Sequence, residues 1–141
     1  MKLPAHDLTS FGNALDVSPQ AFGELRRSND IAHDAPLICA RMAEDGYLYL
    51  PGLLDVEEVL AARGEITDRL AAGGAIDPQH NPMDAIYGAG GDINVGHGPA
   101  VPGSPLFKLL YEGRMMAFYE RLLGGPVRHY DFTWLRVVKP G

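Results

Sequence analysis

The sequence predicts an α+β fold, and three observations predict it. Stretches 34–45, 55–72 and 104–123 carry apolar residues at helical spacing between recognisable caps. Two runs read as strands: a short one at Tyr47-Leu48-Tyr49-Leu50 and a long one that starts at Pro126 and ends in the turn signal Lys139-Pro140-Gly141. Between Gly73 and Pro105, glycine and proline are dense enough to argue for a long shaped loop rather than a tight helical bundle.

Taken in order, residues 1–34 form an N-terminal extension of weak periodicity, with its first ten residues expected to be mobile. Within it, Ser18 as cap and Pro19 in a first turn suggest a short helix through Ala21, Phe22 and Leu25. Residues 35–141 make the main body. Asp34 caps its first helix, Pro36 is tolerated in the opening turn, and Gly46 fits the position just past the end. The short strand at 47–50 is bounded by Gly46 and by Pro51-Gly52. Asp55 with Glu58 has the form of a capping box. Val56, Val59, Leu60, Ile66 and Leu70 are expected to share one apolar face, and Gly73-Gly74 ends that helix. Residues 73–103 are expected to be loop, either lining a pocket as a lid or serving as a plain crossover. Ser104-Pro105 starts a helix expected to run unbroken to Leu123, with Phe107, Leu110, Tyr111, Met115, Phe118 and Leu122 along one side and Gly124-Gly125 as its stop.

Composition narrows the function classes. The chain has 141 residues, enough for one domain with a core, and 46% hydrophobic against 21% charged residues is ordinary for a folded protein. Net charge is −6, and the longest basic cluster is Arg26-Arg27, so no nucleic-acid partner is expected. No apolar run approaches the ~20 residues that span a bilayer, and the first residues carry no apolar stretch of signal-peptide length, so no membrane partner is expected and the expected location is cytoplasmic. Cys39 is the single cysteine, which leaves no intramolecular disulfide and no cysteine zinc site; its apolar neighbours Leu37, Ile38 and Met42 predict that it is buried.

One motif carries possible metal chemistry. His129-Tyr130-Asp131 is an H-x-D, and on a strand residues two apart face the same way, so an imidazole and a carboxylate could meet one ion. With a distant histidine this would be the facial triad of non-haem Fe(II) oxygenases. No histidine follows Asp131; His80 and His97 lie upstream in the glycine-rich stretch. The alternatives are a polar strand pair with no metal, or an irregular site built from His129, Asp131 and His97. Gly88-Ala89-Gly90-Gly91 has no following lysine and is not a phosphate loop, and Glu57/Glu58 and Asp84/Asp92 read as solvated charges.

Three blocks together resemble the phytanoyl-CoA dioxygenase family of Fe(II)- and 2-oxoglutarate-dependent oxygenases. The first is 44–55, EDGYLYLPGLLD, similar to that family's opening of helix, D-G-Y, strand, P-G and helix. The second is the helix that follows, through Leu70; the third is 122–141, LLGGPVRHYDFTWLRVVKPG, similar to the helix and strand leading into the family's metal site. The resemblance covers about 35–141, with the middle loop matching by position only. It implies the N-terminal helices and first strands of a double-stranded β-helix (jelly roll), truncated before the chemistry. The family's metal-binding H-x-D follows the Lys-Pro-Gly turn, so in this register His129 and Asp131 are a decoy one strand too early, and no catalytic or metal residue is expected in the chain. The complete protein would use Fe(II) and 2-oxoglutarate to hydroxylate a small organic substrate; the chain alone would bind neither and be inactive. Thr133, Trp134, Leu135 and Arg136 become candidates for a pocket wall, with Thr133, Leu135 and Val137 on one face and Trp134, Arg136 and Val138 on the other, the phase left open. The rival expectation is a non-catalytic protein that binds a partner, or itself, through the open edge of its last strand.

Overall fold

The computed structural model describes residues 8–88, 90–93, 100–130 and 132–138. An N-terminal hairpin pairs β1 (Thr9–Ser10) with β2 (Asn13–Ala14) in antiparallel register, Thr9 opposite Ala14. Its two-residue turn, Phe11-Gly12, has positive φ at both positions (49° and 78°), which a type I′ connection requires. Sequence reading missed it because phenylalanine is a poor residue for left-handed backbone. The short helix expected near Ser18 is a single turn: the Ser18 carbonyl accepts from the amides of Ala21 (3.1 Å) and Phe22 (2.8 Å) and the pattern does not propagate.

Three of the four caps read from the sequence are formed, Ser18 being the exception. Helix α1 (Ala35–Asp45) begins where an Asp34 carboxylate oxygen accepts from the Leu37 amide (3.0 Å) and ends at Gly46 with φ +73°. Helix α2 (Val56–Ala72) begins where Asp55 accepts from Glu57 (2.9 Å) and Glu58 (3.4 Å). Helix α3 (Pro105–Tyr111) begins where the Ser104 hydroxyl accepts from the Phe107 amide (3.2 Å). The helix expected over 104–123 is two. It breaks at Glu112, whose backbone is extended (φ −135°, ψ −177°), and α4 (Gly113–Leu123) starts afresh in a new direction at Gly113, φ +55°. The hinge falls on the residue least costly to bend.

The apolar face expected on α2 is buried only in its second half. Ala62, Thr67 and Leu70 are enclosed, whereas Val56, Val59 and Leu60 are exposed. The helix beds down from its middle onward, where α3 crosses it: a Glu65 carboxylate oxygen accepts the Leu106 amide (2.8 Å). The buried Thr67 hydroxyl donates back to the Arg63 and Gly64 carbonyls, both at 3.1 Å, so it adds no unsatisfied group to the core.

Part of the expected loop is ordered by its own backbone. Ile76 and Tyr87 form an antiparallel bridge, with Asp77 N–H to Ile86 O at 2.8 Å and Gly88 N–H to Ala75 O at 3.0 Å. A 3₁₀ turn, Pro82–Asp84, caps this ribbon and rests on α2, where the Arg63 guanidinium donates to the Met83 carbonyl (2.8 Å). The next strand of chain returns so closely that a Cβ on Gly91 would sit 2.2 Å from the Gly74 carbonyl carbon. Leu70, Ala75 and Ile76 form the core of this corner, packed by Ile66, Ala71, Ile93 and Val137.

The two expected strands fare differently. Residues 47–50 contribute one parallel bridge, Tyr49 to Arg27, with the Ser28 amide donating to the Tyr49 carbonyl (2.9 Å). The turn at Pro51-Gly52 ends the run before a ladder can grow; Gly52 has φ +77°. Residues 126–130 and 132–138 belong to no helix or strand; their exposure alternates, with Val127, His129, Thr133, Leu135 and Val137 half-buried and Arg128, Tyr130, Phe132, Trp134, Arg136 and Val138 exposed, and the Phe132 amide donates back to the Tyr130 carbonyl (2.8 Å). Among the described residues this segment pairs in no ladder.

Candidate functional site

The alternation over 126–138 fixes the phase that the sequence left open. Thr133 and Leu135 turn toward the helices, and Trp134 and Arg136 turn away. The inward face is anchored chiefly by α3. The Thr133 and Tyr111 hydroxyls share a hydrogen bond of 2.5 Å. His129, on the same inward face, lies flat on the Tyr111 ring, centroids 4.1 Å apart and planes 24° from parallel, and meets Phe107 edge-on at 5.9 Å. That sandwich follows from sequence spacing: Phe107 and Tyr111 are four apart on α3 and therefore share a face. Val137 closes an apolar cleft of about 390 Å³ with Leu70, Ala75, Ile76, Tyr87 and Ile93. Val127 and His129 also border a smaller cleft of about 260 Å³ against Leu110, Met116, Tyr119 and Leu123.

On the outward face the side chains meet solvent. Trp134 is 80% exposed, Tyr130 84% and Phe132 62%, with Arg128 and Arg136 as the flanking charges. Trp134 and Arg136 therefore do not wall a pocket formed by these residues, and Thr133 and Leu135 wall one only against the helices.

No family model, no curated protein and no solved structure matches the chain.

The site's chemistry thus rests on the residues themselves. Fe(II) and 2-oxoglutarate need a histidine–carboxylate cluster with open positions and a basic partner for the keto-acid. The described residues bring no such cluster to His129, which packs on Tyr111 and against Phe107. Asp131, His97 and the Lys139-Pro140-Gly141 turn lie outside the described residues. His80 is engaged locally: its Nδ1 is 3.1 Å from an Asp77 carboxylate oxygen, within the turn that Asp77 also caps through the Gln79 amide (2.9 Å). Among the described residues, no three histidine, cysteine, aspartate or glutamate side chains come together. Cys39 is exposed rather than buried, and its thiol reaches the Leu122 carbonyl (3.4 Å) at the α1–α4 contact. The apolar neighbours that predicted burial are divided by the helix: Ile38 points in, whereas Leu37 and Met42 are themselves exposed. Among the described residues, no helix is long and apolar enough to cross a membrane.

Proposed function

We propose that this chain is the helical wall and leading strand of a non-haem Fe(II)/2-oxoglutarate dioxygenase of the phytanoyl-CoA dioxygenase type, in a double-stranded β-helix whose complete form hydroxylates a small organic substrate. The observation that carries the reading is the 126–138 segment. Its described residues lay alternate side chains on α2 and α3 and leave the other face to a sheet not formed by the described residues. A strand so placed is half of a layer contact, helices on one side and sheet on the other. The resemblance at 44–55 and 122–141 supplies the family; the geometry supports the role of scaffold. In this reading the metal ligands and the 2-oxoglutarate partner belong to other strands. When bound, that pair supplies oxidative decarboxylation coupled to hydroxylation; this chain supplies the wall that packs the first strand and excludes water from its inner side.

An anaerobic Fe(II) titration with 2-oxoglutarate tests the reading, run on the 141-residue chain and on the protein translated from the whole reading frame. The expected result is the visible charge-transfer band of the chelated keto-acid in the longer protein and none in the chain. A band in neither overturns the dioxygenase reading. A band in the chain that disappears in His129→Ala overturns the scaffold role and places the site at His129.

A second reading has its own observation. Tyr130, Phe132, Trp134 and Val138 are exposed apolar side chains on a segment that joins no ladder among the described residues, which is the pattern of an edge that binds another strand. Here the chain would be a non-catalytic, self-associating protein, and the row would be its contact.

A further inference from the structure

A third cleft lies on the opposite side of α4 from the extended segment. It measures about 390 Å³, within the range of small-molecule sites, and is bounded by the 3₁₀ turn Asn29–Ile31 with its flanking residues, by the Gly52-Leu53 turn, and by α4. Its floor is apolar: Ala32 and Phe118 are 5% and 7% exposed. Its polar rim is His33, Arg114 and Arg121, with no acidic residue among the lining side chains. Asp55 pairs with Arg114 from outside the lining (3.1 Å), which leaves Arg121 as the rim charge not offset by that carboxylate.

The two arginines are set rather than loose. They are seven apart on α4, two turns, and so rise from one face. Arg121 is held by a hydrogen bond from Nη1 to the Ala32 carbonyl (3.1 Å), and Arg114 by one from Nη2 to the Asp55 carboxylate (3.1 Å). Each anchor uses one of the five N–H donors of a guanidinium. The remaining fork of each is suited to the paired oxygens of a carboxylate or phosphate. Asp55 also caps α2, so Arg114 is oriented from a rigid point of the fold.

We infer that this cleft is a binding site for an anionic amphiphile: a carboxylate or phosphate, held by Arg114 and Arg121, on a short apolar stem that lies over Ala32 and Phe118. The site shares no residue with the 126–138 segment that carries the dioxygenase reading.

Calorimetric titration of the 141-residue chain with hexanoate, hexyl phosphate and hexanol tests it. Saturable one-to-one binding of at least one anion is expected, at least about tenfold tighter than hexanol and weakened by added salt. The tighter of the two anions identifies the head group. Arg114→Gln is expected to weaken that binding about tenfold with an unchanged far-ultraviolet circular dichroism spectrum. Arg63→Gln, on α2 beside Met83, is expected to leave it unchanged. Arg121→Lys, which keeps the charge but loses the fork, should fall between wild type and Arg114→Gln. Failure of both anions to saturate, hexanol binding as tightly as either, or full affinity in Arg114→Gln would each overturn the assignment.

Discussion

Ile38 shows how much one residue can carry in so open a structure. Among the described residues it is the largest side chain with no exposure at all, pinned where α1 meets the rest of the chain. Ile38→Ala removes most of that side chain and leaves a cavity, so we expect a loss of about 2–5 kcal/mol, read as a lower urea midpoint at constant slope. Leu37→Ala, next along the helix and 49% exposed, should cost far less and serves as the control. Among the described residues, Asp16 carries the one clear electrostatic signal. Its carboxyl is held below the usual carboxylate range, first by the Ser18 backbone amide and then by the Ser18 side chain, with desolvation opposing them weakly. A depressed folded-state value means the stabilisation is present above the ordinary aspartate range and is lost as pH falls through the lowered value. The Ser18 amide proton should therefore shift on acidification, and Asp16→Ala should remove the step. A Ser18 resonance unaffected by acid would mean that the turn does not depend on the carboxylate.

At the scale of the element, what was legible in the sequence is what local chemistry decides. Asp34, Asp55 and Ser104 act as caps because a side-chain oxygen reaches an amide two or three residues on, whatever lies elsewhere. Gly46 and Gly124 end their helices in left-handed backbone for equally local reasons. The misses depend on distant partners. Phe107, Tyr111, Met115 and Phe118 keep helical spacing through Glu112, so periodicity alone does not reveal that the chain turns there. Val56, Val59 and Leu60 have the right spacing for burial but stay 67%, 39% and 44% exposed. The ribbon at 75–88 is held by two backbone hydrogen bonds between residues 9 and 13 apart, with no alternating pattern to announce it. At the candidate site, the sequence named 133–136 but not their phase, because a face is chosen by the helix that receives it, here through Tyr111 and Thr133. Two substitutions test this division. Asp55→Ala should cost about 1 kcal/mol from the lost cap, with little added by the exposed Arg114 pair, and the loss should appear as faster amide exchange in the first turn of α2. Gly91→Ala should cost more, because its methyl group would meet the Gly74 backbone rather than a side chain that can swing aside. Equal stability of Gly91→Ala and wild type would show that the two segments do not pass as closely as described.

For the whole molecule the deciding question is what lies on the outer face of 126–138. Monomeric proteins rarely leave a contiguous aromatic row in water, and a backbone that joins no ladder beside it invites a second strand. Tyr130, Phe132, Trp134 and Val138 between them expose most of their surface, and each buried aromatic removes on the order of 150–250 Å² from water. Both functional readings agree that this face is covered in the working state; they differ in what covers it. Trp134 is the single tryptophan, so its emission reports the face without interference. At high dilution the chain should emit as an indole in water and be readily quenched by acrylamide. If a second copy is the partner, raising the protein concentration should move the emission to the blue as the mass from light scattering rises. Trp134→Lys should then abolish both changes without altering the helical signal, since 80% of the residue lies outside the packed structure. If instead the strand belongs inside a jelly roll, the isolated chain should stay red-emitting at all soluble concentrations, and the protein of the whole reading frame should emit blue and resist quenching. A blue, protected tryptophan in the dilute monomer would defeat both readings, because the face would then be closed by the chain itself.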